Sequence, residues 1–340
     1  MQQARYEGSG RISVVDVPVP PPAAGEVQLD VGYTGICGTD LHILHGAMDH
    51  RVAVPAVIGH EMSGTVARLG EGVRGWSVGA PVTVLPVMSC LDCATCRAGY
   101  GNVCPDLTFI GIDSPGSMQQ RWNVPVRALV GLPDGLDPAH GALAEPTAVA
   151  VHDVRRSGLV GGERAVVVGG GPIGLLIGVV ARRTGAEVLV LEPDALRRTT
   201  ADRLGFATMD PSPDHTADAV RDWSGGQGAS VAFEVSGAAA GVTAAVEALA
   251  PRGRLVMVAI HPAPRSVDLH RFFWRELTML GARLYSREDM QTAVALVASG
   301  QVPAADLITR VDPLRHAHDA FAALESGTGM MKILIDCGAR

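Results

Sequence analysis

The chain has 340 residues, and 47% of them are hydrophobic, which is enough apolar material to bury the cores of two domains. Its formal net charge is −7 with acidic and basic residues interspersed, which argues against nucleic acid or an anionic membrane as the main partner and favours a small molecule. Residues 1–15 contain no basic stretch followed by an apolar run, so we expect no secretory signal and a cytoplasmic location.

The first motifs that could form a metal-binding or catalytic site are VGYTGICGTDLHILHG and, further along the chain, PAVIGHEMSGTV. Cys37 lies in the first segment, and His60 and Glu61 stand side by side in the second. Cysteine, histidine and a carboxylate are the three protein ligands of many catalytic zinc sites, which keep a fourth position for water or substrate. These residues therefore predict a catalytic metal site.

Four of the six cysteines lie within fifteen positions: Cys90, Cys93, Cys96 and Cys104. Four thiolates suit a structural zinc ion, which takes a closed tetrahedral shell. An iron–sulfur cluster also takes four cysteines, but the spacing here differs from that of a bacterial ferredoxin run. Disulfides are disfavoured in a reducing cytoplasm, and the remaining alternative is four unliganded thiols in a loop. We therefore predict a structural zinc lobe at about residues 88–106.

The segment ERAVVVGGGPIGLLIGVVARRTGAEVLVLEPD predicts a strand, a glycine-rich turn, a helix ending near Gly185 and a second strand closing on Glu192. Its apolar run is interrupted by three consecutive glycines and a proline, which argues against a membrane span. Glycines allow a tight turn, close approach of the backbone to a pyrophosphate, and packing of the helix on the strand. The residues of this GxGxxG turn are Gly169, Gly171, Pro172, Ile173 and Gly174.

Glu192 lies about 20 positions beyond the middle glycine, where an acid can hydrogen-bond the adenosine ribose, and this favours NAD. Arg197 and Arg198 keep NADP as the less favoured alternative, because a guanidinium can hold a 2′-phosphate. The strands SVAFEVSG and GRLVMVAI, with a helical stretch between them, continue the alternation of strands and helices. The middle of the chain therefore predicts an α/β fold with a doubly wound parallel sheet.

The segments Cys37-Gly-Thr-Asp-x-His42 and Gly59-His60-Glu61, the four-cysteine lobe and the GxGxxG turn together resemble the zinc-dependent alcohol dehydrogenases of the medium-chain dehydrogenase/reductase superfamily. Glu145, in ALAEPTAVAVHDVRRSG, resembles the Glu-Pro motif of the polyol branch, which includes sorbitol, threonine and 2,3-butanediol dehydrogenases. The resemblance implies a mostly-β GroES-like catalytic domain of residues 1–149 and 283–340. A Rossmann nucleotide domain, residues 150–282, would be inserted between these two segments.

The resemblance also implies roles for residues of the catalytic site. Cys37 and His60 resemble firm zinc ligands, while Glu61 and Glu145 share the third position, one directly and the other through water. Which carboxylate binds directly stays open at this point. Asp40 resembles the carboxylate that orients His60.

Two further residues resemble a proton relay. Thr39 is placed to hydrogen-bond the alcohol oxygen, and His42 resembles the exit of the proton to solvent. A cation bound to the alcohol lowers its pKa, so that alkoxide forms near neutral pH and can transfer hydride to the nucleotide. Glu192 and Arg197 are the residues that we expect to contact the adenosine half of the nucleotide.

The expected activity is NAD-dependent oxidation of a secondary alcohol, such as the vicinal diol 2,3-butanediol or the polyol sorbitol, with two zinc ions per chain. The alternatives are an L-threonine dehydrogenase, a cyclitol or aminocyclitol dehydrogenase, and a non-catalytic relative that binds nucleotide. Residues 116–122, GSMQQRW, depart from the family pattern close to the expected substrate cleft. The apolar stretches GRLVMVAI and ELTMLGARL lie where this family pairs sheets across subunits, which predicts a homodimer or homotetramer.

Overall fold

The computed structural model describes residues 1–211, 215–327 and 329–338. The chain divides into two compact units. Unit 1 consists of Met1–Ala148 and Tyr285–Arg340, and unit 2 consists of Val149–Leu284. The sequence-based boundaries, after residues 149 and 282, lie within two residues of these divisions, and residues 339–340 of the last predicted segment lie outside the described residues.

Unit 1 opens with strands joined by short helices. Its first strands are β1 (Gln2–Tyr6), β2 (Ile12–Asp16), β3 (Glu26–Gly35), β4 (Glu61–Leu69), β5 (Pro81–Val84), β6 (Val87–Met88), β7 (Thr108–Phe109), β8 (Arg121–Pro125) and β9 (Leu129–Gly131). Its first helices are α1 (Gly38–Leu44), α2 (Ala94–Arg97), α3 (Pro138–Gly141) and α4 (Ala144–Ser157), which belongs to unit 2 from Val149 onwards. Short 3-10 turns occupy Gly101–Val103 and Val126–Ala128.

Unit 2 alternates strands and helices. Its strands are β10 (Arg164–Val168), β11 (Glu187–Leu191), β12 (Ala207–Met209), β13 (Ala229–Glu234), β14 (Leu249–Met257) and β15 (Thr278–Gly281). Its helices are α5 (Pro172–Arg183), α6 (Ala195–Arg203), α7 (Thr216–Trp223), α8 (Ala239–Ala248) and α9 (Leu269–Arg275).

The chain then returns to unit 1. This last part contains α10 (Arg287–Ala298), α11 (Ala304–Leu307), β16 (Ile308–Pro313), a 3-10 turn at Leu314–His316, α12 (Ala317–Glu325) and β17 (Lys332–Asp336). The main sheet of unit 1 has the strand order β16-β17-β3-β4-β5-β9, with β8 also paired to β3. Because β17 and β4 pair with opposite edges of β3, the returning chain lies one strand away from the strand that begins at Glu61.

The sheet of unit 2 is parallel, with the order β12-β11-β10-β13-β14-β15. Residues 165–168 of β10 are all buried, as expected for a strand covered on both faces. The strand order reverses between β10 and β13, and such a switch point is where open α/β sheets bind ligands. The observed sheet confirms the predicted doubly wound fold. Across residues 1–211, 215–327 and 329–338, every helix is too short or too polar to cross a membrane.

Candidate metal and nucleotide sites

Three predicted ligands converge in unit 1. One ligand atom each from Cys37, His60 and Glu61 lies within 4.8 Å of the other two. Cys37 precedes α1, while His60 and Glu61 lie where the chain enters β4. His60 and Glu61 are buried, so a cation here would be held in a largely dry environment, where electrostatic interactions are stronger than in water.

Glu61 has a counter-ion that the sequence analysis missed. Lys332, at the start of β17, donates from Nζ to both carboxylate oxygens of Glu61 at 2.8 and 2.7 Å, and also to the carbonyl oxygen of Ile36 at 3.1 Å. Burial acts to lower the pKa of Lys332, but the Glu61 carboxylate and the Cys37 sulfur raise it above its ordinary value. Lys332 therefore stays charged and balances a buried carboxylate.

A glycine makes room for this carboxylate. Gly35 ends β3 and pairs with Glu61 across the sheet. A Cβ at position 35 would overlap the Glu61 carboxylate oxygen Oε2. Glycine at position 35 therefore leaves space for the Glu61 carboxylate, which lies close both to Cys37 and His60 and to Lys332.

Asp40 lies beside His60, as predicted, but without a hydrogen bond to it. Asp40 Oδ2 accepts from the backbone N–H of Cys37 at 2.9 Å, while Asp40 Oδ1 is 3.8 Å from His60 Nδ1. Asp40 Oδ1 and His60 Nδ1 are both buried, and neither has a hydrogen-bond partner. Burial acts to lower the pKa of His60, but Asp40 and Cys37 raise it well above its ordinary value in the metal-free protein. Such orphaned atoms fit a site completed by a cation, which displaces the imidazole proton.

Glu145 lies outside the convergent set and has a partner of its own. It lies in the first turn of α4, is buried, and accepts a 2.5 Å hydrogen bond at Oε1 from the hydroxyl of Tyr285. Burial raises the pKa of Glu145 to about 7, partly offset by the charge of His60. Tyr285, 140 positions away in sequence, was also missed by the sequence analysis.

Thr39 and His42 both lie on α1 and are half-buried. They are three residues apart, so their side chains lie on the same side of the helix. Segment 116–122 also lies near the convergent set, because Gly116 and Ser117 pack directly against Gly59, the residue before His60. The proton relay itself stays a prediction.

The four cysteines of the predicted lobe also converge, with one sulfur each within 4.8 Å of the others. The recorded S···S separations are 3.8 Å for Cys90–Cys96, 3.9 Å for Cys93–Cys104 and 3.5 Å for Cys90–Cys104. Sulfurs at about 2.3 Å from a tetrahedral zinc ion would be about 3.8 Å apart. Backbone N–H groups of Cys93 and Asp92 lower the pKa of Cys90 to about 6, so a thiolate is available at neutral pH.

The glycine-rich turn of unit 2 has the shape expected of a pyrophosphate site. Gly169 has a φ of +110°, and Gly171 is the N-cap of α5, whose first residue is Pro172. A Cβ at Gly174 would overlap the carbonyl oxygen of Gly169, so only glycine permits this approach of helix to strand. Ile173, like Gly171, is half-buried, and the free N–H groups of the helix start favour an anion.

Glu192 and Arg197 flank this turn. The Glu192 carboxylate is buried and accepts hydrogen bonds from the backbone N–H of Gly170 at 2.6 Å and of Asp194 at 2.8 Å. An Arg197 Nη1 lies 3.9 Å from where a Cβ of Gly171 would be, and Arg197 Nε is buried without a hydrogen-bond partner. An orphaned cationic donor beside the turn fits an anionic nucleotide.

Comparison with known proteins agrees with these sites. Residues 23–134 match the family model described as alcohol dehydrogenase GroES-like domain, and residues 172–299 match the one described as zinc-binding dehydrogenase. The chain is 49% identical to the 2-dehydro-3-deoxy-L-galactonate 5-dehydrogenase of Pseudoalteromonas atlantica, over 100% of this chain and 99% of that protein.

Two solved structures share the whole fold. A dehydrogenase structure from Sinorhizobium meliloti 1021, bound to NADP, matches with a TM-score of 0.91 and 32% identity over 98% of both chains. The 2R,3R-butanediol dehydrogenase of Bacillus subtilis matches with a TM-score of 0.90 and 30% identity, over 98% of this chain and 99% of that one. The chain therefore belongs to the zinc-dependent alcohol dehydrogenases of the medium-chain superfamily, with the polyol dehydrogenases as its relatives, and is an oxidoreductase that uses zinc and a nicotinamide dinucleotide.

Proposed function

We propose that this protein is a zinc- and NAD-dependent dehydrogenase that oxidises a secondary hydroxyl of a polyhydroxylated sugar acid to a ketone. The observation that carries the proposal is the convergence of Cys37, His60 and Glu61 in a chain whose 49% identical relative is named for a galactonate derivative. A galactonate is a polyol with a carboxylate at one end, so it combines a secondary alcohol with an anionic group.

In this proposal Cys37, His60 and Glu61 hold the catalytic zinc, and Glu145 is a nearby carboxylate held by Tyr285. When bound, zinc supplies a Lewis acid that lowers the pKa of the substrate hydroxyl, and the nucleotide supplies the hydride acceptor. We assign to Thr39 the hydrogen bond to the substrate oxygen, and its hydroxyl takes up the substrate proton as it releases its own. His42, on the same side of α1, then passes that proton towards solvent.

Lys332 keeps this site functional in the proposed scheme by balancing charge. Without it, the buried Glu61 carboxylate would lose the ammonium group that pairs with both of its oxygens. A buried charge without a partner is costly, so Lys332 preserves the ligand arrangement before zinc binds.

NAD is the proposed nucleotide, because the buried Glu192 presents a carboxylate beside the glycine-rich turn and would repel a 2′-phosphate. The orphaned Nε of Arg197 and the NADP bound to the Sinorhizobium meliloti structure keep NADP as the second choice. Exchange of Glu192 for glutamine should weaken NAD binding relative to NADP binding. An unchanged ratio of the two dissociation constants would indicate that Arg197, and not Glu192, discriminates between NAD and NADP.

The second candidate substrate is a neutral vicinal diol or polyol, favoured by the likeness to the butanediol dehydrogenase of Bacillus subtilis. Both candidates share the same reacting group, a secondary alcohol beside a second hydroxyl. They differ in the terminal carboxylate, so matched substrates with and without that group separate them.

We also propose that two copies of the chain pair through unit 2, in a homodimer or a tetramer built from it. Strand β15 is at the edge of the parallel sheet, and apolar side chains of β15 and α9 are exposed beside it. These side chains are Met279, Leu269, Phe273 and Trp274. An exposed apolar edge strand favours pairing with another strand. A monomeric mass in light scattering would contradict this proposal.

The proposed location of the protein is a reducing cytoplasm, which is supported by its six free cysteines.

The test is NADH formation by zinc-loaded protein against galactonate, galactitol, sorbitol, 2,3-butanediol, L-threonine and inositol, repeated with NADP and after treatment with a chelator. We expect chelator-sensitive oxidation of galactonate-type sugar acids with NAD. Turnover of the neutral polyols alone would favour the second candidate, and chelator-insensitive turnover would contradict the role of zinc. Binding of NAD without turnover of any compound would favour a non-catalytic relative.

A further inference from the structure

A buried acid marks the carboxyl edge of the unit 2 sheet next to the glycine-rich turn. Glu234, the last residue of β13, is fully buried and pairs with Val168 at the end of β10. The loop that follows Glu234 lies against the turn, because a Cβ on Gly169 would be 3.1 Å from the backbone nitrogen of Ser236. Glu234 therefore lies at the switch point of the sheet, where the nucleotide is expected to bind.

The Glu234 carboxylate holds a histidine from the neighbouring loop. Its Oε1 accepts from the Ser236 backbone N–H and hydroxyl at 3.0 and 2.5 Å, and from the Gly237 N–H at 3.1 Å. Its Oε2 is 2.9 Å from Nε2 of His261, in the loop after β14. His261 Nδ1 in turn accepts from Nε of Arg265 at 3.3 Å. This pattern corresponds to a neutral imidazole with its proton on Nε2.

Arg265 is the end of this chain of hydrogen bonds and keeps free donors. Its guanidinium donates one hydrogen bond to His261 and a second, weaker one to the carbonyl oxygen of Gly237 at 3.4 Å. In the described part of the chain it forms no ion pair with a carboxylate, although it is half-buried. Arginine has five N–H donors in a planar fork that matches the oxygens of carboxylates and phosphates.

The strand order fixes which half of a dinucleotide this arginine would meet. β11, followed by Glu192, lies on one side of β10, and β13 and β14 lie on the other. An acid after the second strand marks the adenosine ribose, and the pyrophosphate crosses the glycine-rich turn. The nicotinamide half is therefore expected on the side of β13 and β14, where Glu234, His261 and Arg265 are found.

We propose that Arg265, aimed by Glu234 and His261, is an anion-binding residue for the nicotinamide end of the bound nucleotide. Hydride transfer brings the substrate carbon to about 3–3.5 Å from the reacting ring, so one end of the substrate shares this region. The oxyanion that Arg265 binds thus has two sources: the nicotinamide-side phosphate, or the carboxylate of a sugar acid. The second source rests on the proposed function and would name the group that selects the substrate.

The experiment compares Arg265→Gln with Arg252→Gln as a matched control. Arg252 is also in unit 2, but it is an exposed surface arginine paired with Glu276 at 3.4 Å. In a first arm, the dissociation constant of ADP-ribose is measured by quenching of tryptophan fluorescence. In a second arm, galactonate and galactitol are compared for the shift that each causes in the thermal midpoint of the NADH complex.

Either of two results supports the proposal. A rise of about tenfold in the ADP-ribose dissociation constant for Arg265→Gln, absent in Arg252→Gln, shows that Arg265 binds the nicotinamide-side phosphate. The alternative result is an unchanged ADP-ribose dissociation constant, with the thermal shift caused by galactonate lost and that caused by galactitol kept. It shows that Arg265 binds the substrate carboxylate. Arg265→Lys should recover part of either effect, because it keeps the charge without the planar fork.

The positioning role of His261 has its own readout. His261→Gln should weaken the same ligand as Arg265→Gln, by a smaller factor, and the double variant should bind no more weakly than Arg265→Gln alone. Additive effects of the two substitutions would show that His261 acts separately from Arg265.

Two results would overturn the proposal. One is that Arg265→Gln and Arg252→Gln match the wild type in both arms, with unchanged thermal midpoints of the free proteins. The other is that the wild type binds neither ADP-ribose nor galactonate. Failure of the proposed function alone looks different: the wild type then turns over no substrate, while ADP-ribose binding still reports on Arg265.

Discussion

The two candidate metal sites of unit 1 differ in how the chain assembles them. The four-cysteine site draws its ligands from fifteen consecutive positions, and Cys90 among them is exposed. In the Cys37 site, His60 and Glu61 are buried, and Glu61 pairs with Lys332, which is 271 positions further along the chain. A stabilising metal needs only neighbours in sequence. A reactive one needs a dry and charge-balanced surrounding, which only the complete fold supplies.

The sharpest way to separate the two sites is to remove a ligand from the buried one. His60→Ala should lower kcat/KM by about a thousandfold or more, because the Lewis acid contributes several kcal/mol to transition-state stabilisation. The thermal midpoint should change little in comparison. The measurements are steady-state kinetics and zinc content, which should fall by one ion per chain. Retention of full activity would remove His60 from the ligand set.

Removal of the counter-ion should damage the buried site by another route. Lys332→Met leaves the Glu61 carboxylate buried without its partner, which typically costs about 3–5 kcal/mol of folding free energy. The loss should be largest in chelator-treated protein, where no cation compensates Glu61. Urea unfolding with and without zinc measures both values. Lys332→Arg, which keeps the charge, is the control, and equal stability of the Met variant and the wild type would contradict the pairing.

At the four-cysteine site, loss of a ligand should lower the stability of the fold more than it lowers catalytic activity. Cys96→Ser should release one zinc ion per chain and lower the thermal midpoint by several degrees, since a structural zinc contributes folding energy directly. The fraction that stays folded should keep its kcat. Cys337→Ala is the control, because Cys337 is buried outside both metal sites and its loss should leave both ions in place. An unchanged midpoint for Cys96→Ser would argue against a structural role.

The smallest expected effect concerns pH. Burial raises the pKa of Glu145 from about 4.5 to about 7, so the folded metal-free protein favours the neutral carboxyl. The stability that Glu145 contributes is full below about pH 4.5 and is lost as the pH rises through about 7. Glu145→Gln is neutral at every pH, so the stability of the wild type relative to this variant should fall over that interval. Urea unfolding across that pH range tests it, and a constant difference would contradict the shift.

The same contrast explains what could be predicted from the sequence. The cysteine lobe, Gly59-His60-Glu61 and the GxGxxG turn are local patterns whose spacing carries their chemistry. Tyr285 and Lys332 follow no such pattern, because the sheet and the packing of the returning chain bring them to Glu145 and Glu61. One signal was available: Lys332 is the only lysine of the chain, and it stands at the start of the apolar run KILI.

The position of the division between the units was less visible in sequence than the units themselves. α4 runs through the first boundary without a glycine or proline after its first turn, so no linker composition marks it. The second boundary falls between Leu284, which has a φ of +55°, and Tyr285, and backbone conformation of this kind in a leucine is not encoded by a local motif. His261 and Arg265 were also passed over, because their contact with Glu234 forms only when neighbouring strands align.

Because Lys332 is the only lysine of the sequence, its chemical modification can report on local opening of the fold. Lys332 is the one lysine of this sequence that an amine-directed reagent can modify, and it is shielded in the folded state. Modification of Lys332 therefore requires β17 to separate from the strands around it, and its rate measures how often that happens. Mass spectrometry would read this rate at a single position, without background from other lysines, and would show whether the ligand strands open as one body with the rest of unit 1 or before it.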